Sequence, residues 1–150
     1  MIAEASITIE KLIQRQIVTI SPDETLGTVR ELFHSHRFHH LLVVENKKLV
    51  GMISDRDLLR NLSPFVGNAL NERGQDLATL NRKAHQIMTR RIVSGTADMK
   101  LVQAIELILE HRVSCIPIVD EHQHPIGILS WRDILHGLVS DGGSGSLIGR

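Results

Sequence analysis

Tyrosine is absent from these 150 residues, and the other aromatic rings are Phe33, Phe38, Phe65 and Trp131. So few rings exclude the serial stacking platform on which single-stranded nucleic acid is held. One cysteine, Cys115, excludes an internal disulfide and agrees with a reducing compartment. Neither sign of charge is in excess, with 17 Lys+Arg against 17 Asp+Glu, so no net field draws the chain to DNA or to an anionic membrane. The longest apolar runs, such as 41–44 and 115–119, fall far short of the ~20 residues of a membrane helix. The N-terminus also lacks the basic-then-apolar pattern of a signal peptide. The expectation is a cytoplasmic protein with neither nucleic acid nor membrane as partner.

What is present is duplicated. Gly51-Met52-Ile53-Ser54-Asp55-Arg56-Asp57-Leu58-Leu59 returns, 76 positions later, as Gly127-Ile128-Leu129-Ser130-Trp131-Arg132-Asp133-Ile134-Leu135. Each stretch reads as a glycine, a short apolar strand, Ser-x-Arg-Asp and an apolar pair. A strand that ends at a serine where a helix begins exposes backbone N–H groups, and such turns bind anions in α/β folds.

Taken in order, residues 1–16 start with a mildly apolar segment that suits either a short helix or an extended arm. Ile17-Val18-Thr19-Ile20 is β-branched and predicts a strand. Ser21, Pro22 and Glu24 then supply an N-cap, a first-turn proline and a capping-box acid for a helix carrying Leu26, Val29, Leu32 and Phe33 on one face. Leu41 to Val44 and Leu49 to Ile53 predict two strands joined at Glu45 to Lys48, and Asp55 to Leu62 a short helix. The order strand, helix, strand, strand, helix recurs from Ile92 onward at an offset of 75, which a one-residue longer turn near Glu121 makes 76.

Under 60 residues, each copy buries too little surface to be comfortable alone, so the copies are expected to pack on each other about a pseudo-twofold axis. Asp76 to Met88 has a helical period and predicts a connecting helix. The helix after Thr96 is apolar on more than one face, and part of it is expected to meet a second subunit. The expected organisation is repeat one at 9–66, a connecting segment at 67–86, repeat two at 87–140 and a flexible glycine- and serine-rich tail at 141–150.

This duplicated pattern, with Ser114-Cys115-Ile116-Pro117-Ile118-Val119-Asp120 ahead of the second glycine, resembles a tandem pair of CBS (cystathionine-β-synthase) domains of the stand-alone bacterial type. The resemblance covers residues 9–139. It implies a mixed α/β (α+β) fold of two βαββα units facing through their sheets, with two clefts between them. It implies a regulatory rather than catalytic module that binds AMP, ADP, ATP, S-adenosylmethionine or NAD, senses energy state, signals to an effector protein, and pairs into a homodimeric disc of four domains. No catalytic cofactor and no metal is expected.

By the same resemblance, Asp57 and Asp133 accept from the two ribose hydroxyls, a role suited to a carboxylate with acceptors only. Ser54 and Ser130 hold a phosphate with the helix N-terminus behind them, and Arg56 and Arg132 add a guanidinium beside it. Adenine would lie among Val18, Thr19 and Ile20 in one cleft and Val93, Ser94 and Gly95 in the other. His39 and His40 match a His-basic pair that reaches phosphates across the module. They would then serve the cleft holding Asp133, while Ser114 and Cys115 serve the cleft holding Asp57. The first would prefer a phosphorylated ligand and the second a less charged one. Two departures stand out: Leu42 where the second copy has Pro117, and Trp131 in the motif, which either packs on adenine or fills the cleft.

Plainer readings stand beside these. Ser-x-x-Asp ahead of a helix is also a capping box needing no ligand, and the module would then serve dimerisation alone. His34, His36, His39 and His40 can form a zinc or nickel site or a solvated basic turn, and their span across helix and strand favours the turn. Cys115 reads as an inert core residue. With one carboxylate per cleft and no nucleophile–base pair, an enzyme is not expected.

Overall fold

The uninterrupted apolar run 41–44 offers no side chain to water, which suits the middle strand of a covered sheet. In the computed structural model, which describes residues 8–142, β2 (His40–Glu45) takes that place. It pairs parallel with β1 (Thr19–Ile20) and antiparallel with β3 (Lys48–Ser54). Leu41, Leu42 and Val43 are wholly buried. The β2–β3 hairpin turns on Asn46 and Lys47, both at positive φ (51° and 66°), which matches the twist of the flanking strands.

The second copy repeats this with β4 (Cys115–Val119) antiparallel to β5 (Pro125–Ser130). Its first strand shrinks to one parallel bridge, Gly95 to Ile118, the counterpart of Ile20 beside Val43. Each hairpin shifts register at the same place, after Val43 and after Ile118. α1 (Leu26–Ser35) and α5 (Leu101–His111) precede the hairpins, and α2 (Asp55–Asn61) and α6 (Trp131–Gly142) follow them.

The chain divides into two compact units, Val18–Arg91 and the residues up to Ile17 together with those from Ile92 onward. In the first unit, residues 84–89 close the core. Ala84 and Met88 pack with Leu26, Val43 and Ile53, the Ala84 N–H donates to the Glu24 carbonyl at 2.8 Å, and Thr89 exchanges two backbone bonds with Met52. In the second unit, residues 9–14 do the same. Ile9 and Ile13 pack with Leu101, Ile118 and Leu129, the Ile9 N–H donates to the Met99 carbonyl at 3.0 Å, and Gln14 exchanges two bonds with Ile128. Every one of these pairings is its counterpart shifted by the repeat offset, so the opening segment of each copy completes the unit built on the other copy's sheet.

That arrangement explains the glycine heading each motif. A Cβ on Gly51 would run into Met88, and one on Gly127 into Ile13 and the Gln14 carbonyl. Hydrogen makes room for the added segment where any side chain would not.

Three local expectations are corrected. The helix after β1 is capped by Thr25, whose hydroxyl accepts from the Thr28 N–H, and not by Ser21. Residues 22–24 are held out of the helix because the Pro22 and Glu24 carbonyls accept from His85 and Ala84. The connecting segment is not one helix but α3 (Gly74–Ala78), a 3-10 turn at Thr79–Asn81 and α4 (Ala84–Ile87). Local side chains break it: Asp76 and Gln86 each cap a new start by accepting from Arg73 and Lys83 backbone N–H groups, and Ser63 bonds Asp76 and Thr79. α6 continues through Gly142, so it takes in the start of the expected tail, whose remaining residues, 143–150, lie outside the described ones. The apolar α5 spends most of its surplus within its own unit, burying Leu101, Ala104 and Ile108 and leaving Leu109 71% exposed. Among the described residues no helix is long and apolar enough to cross a membrane.

Candidate functional site

Each motif makes the strand-to-helix turn its spacing predicts. β3 ends at Ser54, whose hydroxyl accepts from the Asp57 N–H at 3.0 Å while Asp57 Oδ2 accepts from the Ser54 N–H at 2.9 Å. β5 ends at Ser130, where the corresponding bonds are 3.1 Å and 2.8 Å, and the Ser130 hydroxyl also lies 2.9 Å from Asp133 Oδ2. Both Ser–Asp pairs are therefore closed capping boxes, the arrangement that stabilises a helix start without a ligand. Oδ1 of Asp57 and of Asp133 carries no hydrogen bond among the described residues, and each carboxylate keeps one oxygen for an incoming donor.

The remaining predicted residues fall around these turns within each unit. The Val18 carbonyl accepts from the Leu42 N–H at 3.3 Å, Thr19 is exposed on β1 and Ile20 is buried. Because β2 separates them from β3, Val18 and Ser54 share one end of the sheet at two strand spacings, ~10 Å. In the other unit Val93 and Ser94 are half-buried, and Gly95 is fixed by bonds to the Pro117 carbonyl and the Val119 N–H. Arg56 and Arg132 are exposed, and the Arg132 guanidinium lies 5.4 Å from the centre of the Trp131 ring, itself 44% exposed.

Within their own unit the histidines stand beside the Ser54 turn. His40 is directly opposite Ser54 in the β2–β3 ladder, and His39 Nδ1 is 2.8 Å from Asp55 Oδ2. The sequence reading directed them to the Asp133 turn; the bonds seen inside the unit run to the neighbour of Asp57. Burial holds the His40 imidazole below its ordinary pKa, an effect that Asp55 partly opposes. The second copy has Cys115 opposite Ser130, with its thiol pushed up to about 11 by burial. Among the described residues no three His, Cys, Asp or Glu side chains converge as metal ligands. A surface groove of about 420 Å³ runs along α5, lined by Asp98, Glu106 and Glu110, and contains none of the predicted residues.

Asp55 was not singled out from sequence, being one of the variable positions of Ser-x-x-Asp. Laying the copies over each other reveals the signal: Asp55 is replaced by Trp131 where His39 is replaced by Ser114, so the bonded pair changes together.

Comparison with known proteins settles the family. The CBS domain model matches residues 9–64 and again 84–140. The chain belongs to the CBS domain family. It is 31% identical over 127 residues to inosine-5'-monophosphate dehydrogenase of Methanocaldococcus jannaschii, covering 84% of this chain but only 22% of that enzyme. Among solved structures, CBSX2 in complex with AMP superposes with a TM-score of 0.74 at 23% identity, covering 91% of this chain and 98% of that one. The CBS domain pair of protein MJ0100, in complex with 5'-methylthioadenosine and S-adenosylmethionine, gives 0.72 at 19% identity over 89% and 97%. At these identities the structural likeness speaks for the fold, a CBS pair of mixed helix and strand.

Proposed function

We propose that this CBS pair is a regulatory module that binds an adenosine-containing ligand, an adenine nucleotide, S-adenosylmethionine or NAD, at its two Ser-x-Arg-Asp turns and passes the change to an effector protein. The observation that carries this reading is the Oδ1 of Asp57 and of Asp133, without a hydrogen bond among the described residues: each turn holds a carboxyl acceptor in fixed orientation, available to the two donors of a ribose cis-diol. Val18–Ile20 and Val93–Gly95, on the strand edge across each sheet, would take the base. The ligands held by CBSX2 and by the MJ0100 pair are of this class, which supports the choice of adenosine compounds. The mechanism is differential affinity, since a ligand shifts the module only as far as it binds one arrangement better than another. A soluble cytoplasmic homodimer of four CBS domains is part of this proposal. Leu59 and Leu135, equivalent and both exposed, are apolar surface for such pairing.

The test uses the conservative changes Asp57→Asn and Asp133→Asn. An asparagine oxygen can still accept the serine N–H, so the cap survives while the second acceptor becomes a donor. Calorimetry with AMP, ATP, S-adenosylmethionine and NAD on the wild type should find at least one ligand whose binding is weakened by one of these changes. A ligand at 100 times its dissociation constant should also stabilise the fold by ~2.7 kcal/mol. Absence of binding by all four at millimolar concentration would refute the proposal. It would favour the second reading, a dimerisation module, to which the closed capping boxes lend their own support.

A further inference from the structure

Seven residues make α2 too short to hold itself as a helix in water, so whatever fixes its two ends decides how firmly Asp57 is presented. Its start is closed by Ser54. Its end is fixed from outside the helix: the half-buried Asn61 side chain donates through Nδ2 to the Asp57 carbonyl at 2.8 Å and accepts through Oδ1 from Arg82 Nη1 at 3.0 Å. A cation at a helix C-terminus also meets the favourable end of the helix dipole. The same Arg82 holds the start of α1, whose Leu26 N–H donates to the Arg82 carbonyl at 2.9 Å.

From Arg82 the bonds continue into the connecting segment. The Arg82 N–H donates to the Thr79 carbonyl at 3.4 Å. The Thr79 hydroxyl donates to the Asp76 carbonyl at 2.7 Å and accepts from the Ser63 N–H at 3.2 Å, and the Ser63 hydroxyl donates to buried Asp76 Oδ1 at 2.6 Å. Residues 64–75 are thus an excursion pinned at its mouth, and the mouth is bonded to the end of α2. The other copy lacks both members of this link, with Gly137 at the place of Asn61 and Ile7 at that of Arg82. Neither can make the bond, and a Cβ on Gly137 would run into Leu12, so the twelve-residue α6 is packed there instead of bonded.

We propose that Arg82, acting through Asn61, is a positioning residue of the Asp57 turn and couples it to the connecting segment, so that the first turn answers to the state of residues 63–79 and the second does not. Arg82 touches no ligand; it steadies the backbone of the residue whose carboxylate would. Opening the Ser63–Asp76 mouth loosens Thr79, then Arg82 and Asn61, and leaves α2 with its cap alone. By linkage the reverse holds, and whatever steadies Asp57 steadies the connecting segment by the same free energy. The consequence for signalling rests on the reading of the Asp57 turn as a ligand site, while the coupling itself is measurable without a ligand.

Hydrogen exchange of the full chain, resolved to α2, residues 63–79 and α6, tests the coupling first without ligand. Arg82→Met, which keeps the stem and removes the donor, should raise exchange in α2 about fivefold and leave α6 unchanged. Arg82→Lys, which restores a donor, should stay within about twofold of the wild type. Ser63→Ala should raise exchange in 63–79 and in α2, and in the Arg82→Met background it should add nothing further in α2. An α2 unchanged by Arg82→Met, or a Ser63→Ala increment in α2 that is the same with and without Arg82, would overturn the inference. Asn61→Ala cuts the link from the other side and gives the same readings if Arg82→Met does not fold. Millimolar AMP and S-adenosylmethionine are then added to the wild type and to Arg82→Met. Protection of α2 by either compound should extend to 63–79 in the wild type and stop at α2 in the variant. Should a compound protect α2 while Arg82→Met and Ser63→Ala act additively, the inference falls and the adenosyl reading stands. Should the coupling appear while neither compound protects either turn, the inference stands and the adenosyl reading falls.

Discussion

Replacing the two motif glycines by alanine should destabilise the protein unequally, although the glycines are equivalent in sequence. At Gly127 the added methyl would overlap Ile13 Cγ2 and lie 2.7 Å from the Gln14 carbonyl oxygen, a backbone atom fixed by paired 2.9 Å bonds between Gln14 and Ile128. Relief requires moving the 9–14 segment off β5. Overpacking of this kind costs about 1–3 kcal/mol, and loosening two backbone bonds adds about 1 kcal/mol each, so Gly127→Ala should cost about 3–5 kcal/mol. At Gly51 the three atoms nearest the methyl all belong to the Met88 side chain, with Cγ at 2.8 Å and Cβ at 3.2 Å. An unbranched thioether can swing aside, and the cost should stay near 1–2 kcal/mol. Urea denaturation followed by circular dichroism measures both, and thermal midpoints should fall by about 2–4 °C per kcal/mol in a chain of this length. Met88→Ala should absorb much of the Gly51→Ala penalty in a double-mutant cycle, with coupling of about 1 kcal/mol. Trimming Ile13 to alanine should not rescue Gly127→Ala, because the backbone clash remains. Equal losses at the two glycines, or Gly127→Ala within about 1 kcal/mol of wild type, would refute the close approach of residues 13 and 14 to β5.

Three further outcomes are expected. Ile9→Ala, at a fully buried position, should cost about 2–5 kcal/mol, and hydrogen exchange should rise first in α5, β4 and β5 while β2 and β3 stay protected. Cys115, its thiol pushed up to about 11 by burial, should have fewer than about one in a thousand thiols ionised at pH 8; iodoacetamide should label it slowly in the native protein and promptly in urea. His40 is held by burial below its ordinary value of 6.5, so the folded state resists its protonation. Its contribution to stability is whole above that unfolded value and is lost as pH falls through the folded pKa. Denaturation midpoints should accordingly drop as pH falls below about 6.5, and His40→Gln should flatten that slope.

The duplication, the order of elements, both hairpins and both motif turns were legible because each depends on local pattern: β-branched runs, a turn pair, a serine three residues ahead of an aspartate. The ownership of residues 9–14 and 84–89 was not. Ile9 and Ile13, like Ala84 and Met88, show only that a face is apolar, and the period of a face says nothing of which core receives it. Ser21 has every local mark of an N-cap and is displaced by backbone bonds from residues 84 and 85, more than sixty positions away in sequence. The expected connecting helix failed for the opposite reason. Asp76, Thr79 and Gln86 bond nearby backbone and hydroxyl groups strongly enough to interrupt a helical period that was present.

These particulars change what the repeated motif can be used to argue. Its glycine is required by the segment packed against it, and its serine and aspartate close a capping box, so three of its marks follow from folding whether or not anything binds. Evidence for a ligand has to come from what folding leaves unused. Among the described residues that is the second oxygen of Asp57 and of Asp133. The difference between the copies sits at positions a motif treats as blanks: Asp55 against Trp131, His39 against Ser114. Asp55 accepts from the next backbone N–H, a bond an indole cannot make, and His39 supplies that carboxylate with a partner for which Ser114 has no equivalent. A duplicated fold can hold its architecture at the repeated residues while the residues between them diverge, and if the proposed ligand binds, those intervening residues are where a difference between the two turns is to be sought.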